Sequence, residues 1–244
     1  HYSNRALTRG RGYIYFHNHS ISCPASRKEY MSEIIDRTFL SKDVTCVTLQ
    51  PMLTANKQIY GAEILLRVMD DYRQRPIMAG ELSHIAIEIG KVSVIALSLL
   101  RFVESLFAEF GGNVFVINNF HRVAINTDSS FLNDVELNTY LKNIYANKTI
   151  PAGFLSFEIS EDLITEELRT KSKDYLSYGI ALVADRYTGR DVSLDKLKEY
   201  GFTKIKIDRS LICDMDSNPI HKDSVLSLPI VEPLDVILHQ AQIQ

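Results

Sequence analysis

Cysteine is scarce in this chain: Cys23, Cys46 and Cys213 are the three present in 244 residues, widely spaced and without a C-x-x-C pair. An odd, scattered set excludes a disulfide framework and fits reduced thiols in a cytoplasmic protein. Cys46 and Cys213 lie in apolar runs, where a thiol packs as a small hydrophobe. A basic excess is also missing. The 27 Lys and Arg against 30 Asp and Glu leave a net charge of -3, so no cationic footprint for nucleic acid is expected. Long apolar runs are absent. The longest, Val92 to Leu100, contains two serines and is far shorter than the ~20 residues of a spanning helix. Membrane contact within this chain is therefore not expected, and the N-terminus has no signal-peptide pattern. His17-Asn18-His19 has no matching ligand cluster and reads as a polar loop.

What is present is alternation. Thr45 to Leu49 and Ile59 to Leu66 read as strands, and a helical region follows from about Gly80 to Phe110, broken near Gly90. Val114 to Asn126 is expected to hold one or two strands. Leu132 to Tyr145 reads as helix, Gly153 to Ile159 as strand and Glu161 to Leu176 as helix. Gly179 to Ala184 reads as strand, Ser193 to Tyr200 as helix and Thr203 to Ile207 as strand. The tail from about Ser224 to Gln244 is expected to be largely helical. Strand and helix in alternation imply a parallel sheet with helical crossovers, and nearly continuous apolar strands imply burial on both faces. Pattern alone leaves a closed barrel and an open sheet both standing.

Polar side chains mark the ends of these strands: Glu63, Asn126, Glu158 and Asp185, with Lys206 and Asp208 on a further strand. Hard divalent cations prefer such oxygen ligands, and a pair of ions there would activate water against a phosphodiester. Lys206 would steady a phosphate oxygen or a metal-bound water, and Arg67 would offer a two-pronged phosphate contact. Each acid has a plainer alternative. A carboxylate at a strand end also caps the helix that follows, as Glu158 would with Ser160 and Glu161 behind it.

The ordered blocks Leu49-Gln50-Pro51, G61-A-E-I-L-L-R67, V123-A-I-N126, F157-E-I-S-E161, the stretch from Gly179 to Leu194 and K206-I-D208-R-S resemble the EAL domain family of cyclic di-GMP phosphodiesterases. The resemblance runs from about 44 to 244. Residues 1–22, with Arg11-Gly-Tyr-Ile-Tyr-Phe16, resemble the end of a GGDEF domain without its cyclase residues, and 23–43 read as a connector helix. The resemblance implies an α/β fold, a TIM-type (β/α)8-like barrel with one antiparallel strand, incomplete here at the C-terminal end. It implies hydrolysis of cyclic di-GMP to pGpG with two Mg²⁺ or Mn²⁺ ions. By position Glu63, Asn126, Glu158 and Asp185 would be metal ligands, and Lys206 and Asp208 catalytic. Gln50, Leu65 and Arg67 would line the ligand groove.

The chain departs from that pattern. The family's D-D-F-G-T-G-Y-S-S-L loop is here D185-R-Y-T-G-R-D-V-S-L194, so Arg186 stands where a second aspartate is expected. Arginine cannot ligate a cation and its charge opposes one, yet it binds phosphate. Arg186 is thus expected either on the ligand or paired with Asp191 in solvent. Ala86-Ile87 stands for the family's Ala-Glu, and Asp128 for a serine. Ile230 to Leu238 is expected to be the helix before the family's A-E-G-V-E strand, which puts the general-base glutamate outside the chain. One cation site is expected on this reading, with the second impaired. The leading expectation is a degenerate EAL domain that binds cyclic di-GMP as a regulatory module, with little or no hydrolysis. An active phosphodiesterase and a nucleotide-independent protein scaffold stay open as alternatives. A protein partner and a homodimer are compatible with the family. The whole protein is expected to be cytoplasmic, free or tethered to a membrane through other segments.

Overall fold

The computed structural model describes residues 27–40, 47–54, 56–71, 73–117, 120–212 and 235–238. Helix α1 (Arg27–Phe39) buries Tyr30, Met31, Ile34, Ile35 and Phe39, a stripe at helical spacing that packs on the core. Strand β1 (Val47–Leu53) pairs antiparallel with β2 (Ile59–Leu66). The tight turn between them, closed by Thr54 N donating to Gln58 O at 2.8 Å, leaves no room for the longer crossover that parallel pairing needs. A small hairpin, β3 (Met69–Asp70) and β4 (Arg75–Pro76), follows. Then come α2 (Ala79–Glu88) and α3 (Val92–Ile117), parted at Gly90 in a left-handed conformation with φ of 69°.

Strand β5 (Arg122–Thr127) returns beside β2. It is followed by α4 (Ser129–Asn133), α5 (Val135–Ala146), β6 (Leu155–Ser160), a 3₁₀ turn at Glu161–Leu163, α6 (Glu166–Ser177) and β7 (Ala181–Tyr187). After these come α7 (Leu194–Glu199), β8 (Phe202–Ile207), α8 (Arg209–Ile212) and β9 (Asp235–Leu238). The seven-stranded sheet runs β1-β2-β5-β6-β7-β8-β9, with every pair after the first parallel. Its outer strands do not pair with each other among the described residues, so the barrel is open there.

The inner strands are apolar because both faces are covered: five of the six residues of β6 are buried. β1, at the sheet edge, is exposed or half-buried at every position but Met52 and accommodates Pro51. Strands β2 and β5 approach closely at Gly61, where a Cβ would lie 2.3 Å from the Arg122 carbonyl oxygen. Only glycine fits the motif at that position.

Four expectations need correction. Val114 to Ile117 continues α3 and is not a strand; its β-branched and aromatic residues favour strand locally, but a short apolar run is ambiguous in period. Leu132 to Tyr145 is two helices divided at Asp134, because Asp128 caps the first through Phe131 N and Asp134 the second through Leu137 N. The strand from Gly179 runs on through Asp185 and Arg186 to Tyr187. In the tail, Asp235–Leu238 is a strand beside β8, not part of a helix. Residues 1–26, including the GGDEF-like segment, lie outside the described residues, as do residues 213–234.

Candidate functional site

The strand register brings the polar set to one side of the sheet. Asn126 and Glu158 are Cα partners, and Ser160 is level with Asp185. These residues sit within their strands and not beyond the ends, since Glu63 has three further residues of β2 after it. Lys206 is the centre of the group. Its Nζ donates to Glu63 Oε2 at 2.7 Å and to Glu158 Oε2 at 2.5 Å, and all three side chains are buried. Asn126 Nδ2 donates to Glu63 Oε1 at 2.7 Å. Burial pushes the Glu158 carboxyl up to about 8, with Lys206 opposing and Glu63 and Asp185 adding to the rise. Burial works against the Lys206 ammonium, but Glu158 and Glu63 outweigh it and its pKa is raised.

Above this group opens a cleft of about 480 Å³. Leu65, Arg67, Asn126, Glu158, Asp185 and Arg186 all line it. Arg67 is exposed and donates to the Leu66 carbonyl at 3.0 Å. Asp185 Oδ1 is buried and has no hydrogen-bond partner among the described residues. Gln50 and Asp208 are not among the residues lining this cleft. Gln50 lies across from Glu63 on β1, and Asp208 Oδ1 accepts from Ser210 N at 2.8 Å at the start of α8.

Arg186 adopts a left-handed backbone with φ of 51°. There the pairing of β7 with β8 slips, from Ala184 opposite Ile205 to Tyr187 opposite Ile207. The bulge aims the guanidinium along the mouth, where Nη2 donates to Ser160 Oγ at 2.5 Å and lies 3.5 Å from Asp162 Oδ1. The partner is therefore Asp162 and not Asp191, whose backbone N–H donates to Glu161. Glu161 was not singled out as a site residue by sequence reasoning. Buried, it accepts from Thr188 N and Oγ1 at 2.6 and 2.8 Å and from the N–H groups of Asp191 and Val192, and so anchors the loop after β7. Its place right after the β6 block was the available signal.

The residues from 33 to 228 match the EAL domain model. The chain belongs to the EAL domain family. A curated relative, the signaling protein YkoW of Bacillus subtilis (strain 168), is 26% identical over 192 residues, covering 77% of this chain and 23% of its own length. The chain thus spans about a quarter of that relative. Among solved structures, the FimX EAL domain of Pseudomonas aeruginosa bound to c-di-GMP superposes with a TM-score of 0.65 at 17% identity, over 82% of this EAL chain and 78% of that one. The PaMucR phosphodiesterase in complex with c-di-GMP gives 0.62 at 19%, over 80% and 79%. The Vibrio cholerae LapD S helix-GGDEF-EAL chain bound to c-di-GMP gives 0.67 at 13%, over 89% and 52%. At these identities the likeness shows the fold: EAL domains adopt a TIM-like (β/α)8 barrel.

EAL phosphodiesterases depend on Mg²⁺ or Mn²⁺. In this EAL domain no three His, Cys, Asp or Glu side chains among the described residues are grouped to hold a metal ion. The Lys206 ammonium already binds Glu63 and Glu158, and the Asn126 amide nitrogen faces Glu63. The donor set, arranged in this way, does not fit a bound cation. Among the described residues no helix is long and apolar enough to cross a membrane.

Proposed function

We propose that this EAL domain binds cyclic di-GMP as a regulatory module in cyclic di-GMP signalling, with little or no hydrolysis. The observation that carries the reading is the Lys206 ammonium, held by Glu63 and Glu158 where a catalytic cation would need those same oxygens. A divalent ion would have to displace a buried, hydrogen-bonded ammonium from two carboxylates, and Arg186 at the mouth adds repulsion. The same charges favour a dianionic ligand. Arg67 and Arg186 line one cleft and present two guanidinium forks to the two phosphates of a cyclic dinucleotide. Leu65 contributes an apolar surface beside them.

The strand after β8 bears on the general base. Strand β9 stands where the family resemblance orders the A-E-G-V-E strand, and its end toward the mouth carries Ile237 and Leu238, level with Lys206 and Ile207. Residues 239–244 read H-Q-A-Q-I-Q and contain no carboxylate. On this alignment residues 236–244 supply no acid for that role.

Calorimetric titration tests the reading. Cyclic di-GMP should bind in excess EDTA as it does in Mg²⁺, and no pGpG should accumulate. Absence of binding at high micromolar ligand would sink it. The unpartnered Asp185 Oδ1 favours a second reading, a weakly active phosphodiesterase in which a cation reaches Asp185 and displaces Lys206. That reading requires Mn²⁺-dependent pGpG formation that disappears in Glu63→Ala.

A further inference from the structure

Helix α2 is a plate between the cleft and α1. Ala79, Gly80, Ser83 and Ala86 face the cleft, while Glu81 and Glu88 meet α1. Arg27, at the start of α1, reaches two elements at once. Its Nη1 donates to Asp70 Oδ2 at 2.7 Å on the β3–β4 hairpin, and its Nε and Nη2 donate to Glu81 Oε1 at 3.1 and 2.6 Å on α2. The Asp70 side chain is fully buried, and its Oδ1 accepts from Arg73 N at 3.0 Å.

The rest of α1 repeats the connection. Lys28 pairs with Glu88 at 2.9 Å near the far end of α2. Past Gly90, Lys91 turns back onto Asp36 at 2.5 Å and the Ser32 carbonyl. Both ends of α2 are therefore fastened to α1. On the opposite side Ser83 Oγ donates to Asp128 Oδ2 at 2.7 Å, and Asp128 lines the cleft while capping α4.

We propose that Arg27 is a positioning residue for the cleft, clamping the β3–β4 hairpin and α2 to α1 so that the placement of α1 sets ligand affinity. The proposal rests on the reading of the cleft as a cyclic di-GMP site. The physical reason is the buried Asp70 carboxylate. A buried charge that loses a partner must regain water or another partner, and the two-residue hairpin strands are too slight to resist the shift. Glu81, left beside the exposed side chains of Arg73 and Arg75, would follow them outward and tilt α2, with Ser83, away from Asp128.

The experiment uses the full chain with three variants, Arg27→Ala, Arg27→Lys and Arg169→Ala. Arg169 pairs with Glu166 and Glu199 on an exposed surface outside the cleft's lining and serves as the control. Cyclic di-GMP affinity is measured by calorimetry, and hydrogen exchange is followed in peptides over residues 79–88 and 122–127. Arg27→Ala should weaken binding at least about 5-fold and speed exchange in 79–88 but not in 122–127, since an ion-pair loss of about 1 kcal/mol is worth that factor. Arg27→Lys should recover part of both effects, because an ammonium satisfies one carboxylate at a time. Arg169→Ala should change neither. Wild-type affinity and exchange in Arg27→Ala would overturn the clamp, and so would faster exchange in both segments, which marks general destabilisation. If the unaltered chain binds no cyclic di-GMP, the function reading fails, and exchange confined to 79–88 still decides the clamp.

Discussion

Lys206 shows how one residue type decides the chemistry of a site. Its Nζ sits between Glu63 and Glu158 in a region from which water is largely excluded. Lys206→Met should leave the buried Glu63 and Glu158 side chains without their hydrogen-bonding cation and destabilise the domain by about 3–5 kcal/mol, read from urea denaturation. Glu158 carries a pH signature. The folded protein keeps its proton up to about 8 while an ordinary glutamate releases it near 4.5. Between those values the folded state holds more protons than the unfolded chain, so stability falls as pH rises, with a slope of at most about 1.4 kcal/mol per unit. The raised pKa of Lys206 acts only above this window. Glu158→Gln should flatten the profile between pH 5 and 8 in denaturation midpoints. Arg186→Ala removes one charge-assisted phosphate contact and should weaken cyclic di-GMP about 10-fold. Affinity unchanged in that variant would place Arg186 with Ser160 and Asp162 in the bound form as well.

Among the elements, the loop after β7 depends on one carboxylate from its neighbour. Glu161 follows β6 directly and accepts from three backbone N–H groups and one hydroxyl of residues 188–192. Glu161→Ala would strand those donors and cost about 1–3 kcal/mol. Limited proteolysis should then cut between Asp185 and Leu194, while the protected strands stay intact. Several elements were legible in the sequence because their period and caps agreed: β2, β6, α7 with its Ser193 cap, and β8 lie within two residues of expectation. The errors fell where local signals conflicted. The residues at 114–117 favour strand by type yet continue α3. At 235–238 a pairing partner 31 residues back, β8, overrules the helical reading. The α1 helix buries five residues in the core.

For the molecule taken whole, ligand linkage gives the broadest test. Cyclic di-GMP that binds the folded state alone should raise stability by about 2.7 kcal/mol at 100 times its Kd. The shift should appear in thermal melts with EDTA present, and Mg²⁺ without nucleotide should shift the midpoint little, because the donor set is already satisfied by Lys206. A large stabilisation by Mg²⁺ or Mn²⁺ alone would favour the phosphodiesterase reading. The exposed character of β1 and the open edge of the sheet belong to this scale too. The seven strands of the main sheet bury one continuous core against helices on the outside, but β1 and β9 keep unpaired edges among the described residues.

The sequence by itself determined the family, most of the order of strands and helices, and the identity of the polar groups on the strands. Those features are written in short-range code: apolar period, caps, and ordered motif blocks such as G61-A-E-I-L-L-R67. It also shows an arginine at 186 directly after Asp185. Only the tertiary structure decided what those groups do to one another. Glu63 and Lys206 are 143 positions apart, and nothing in local pattern says that the ammonium lies on the carboxylates. The same holds for Arg186, which reaches Asp162 because a bulge slips the β7 register, and for Arg27, which finds Asp70 across 43 residues. Electrostatic partnership depends on distance and burial, and both are set when the sheet and its helices pack.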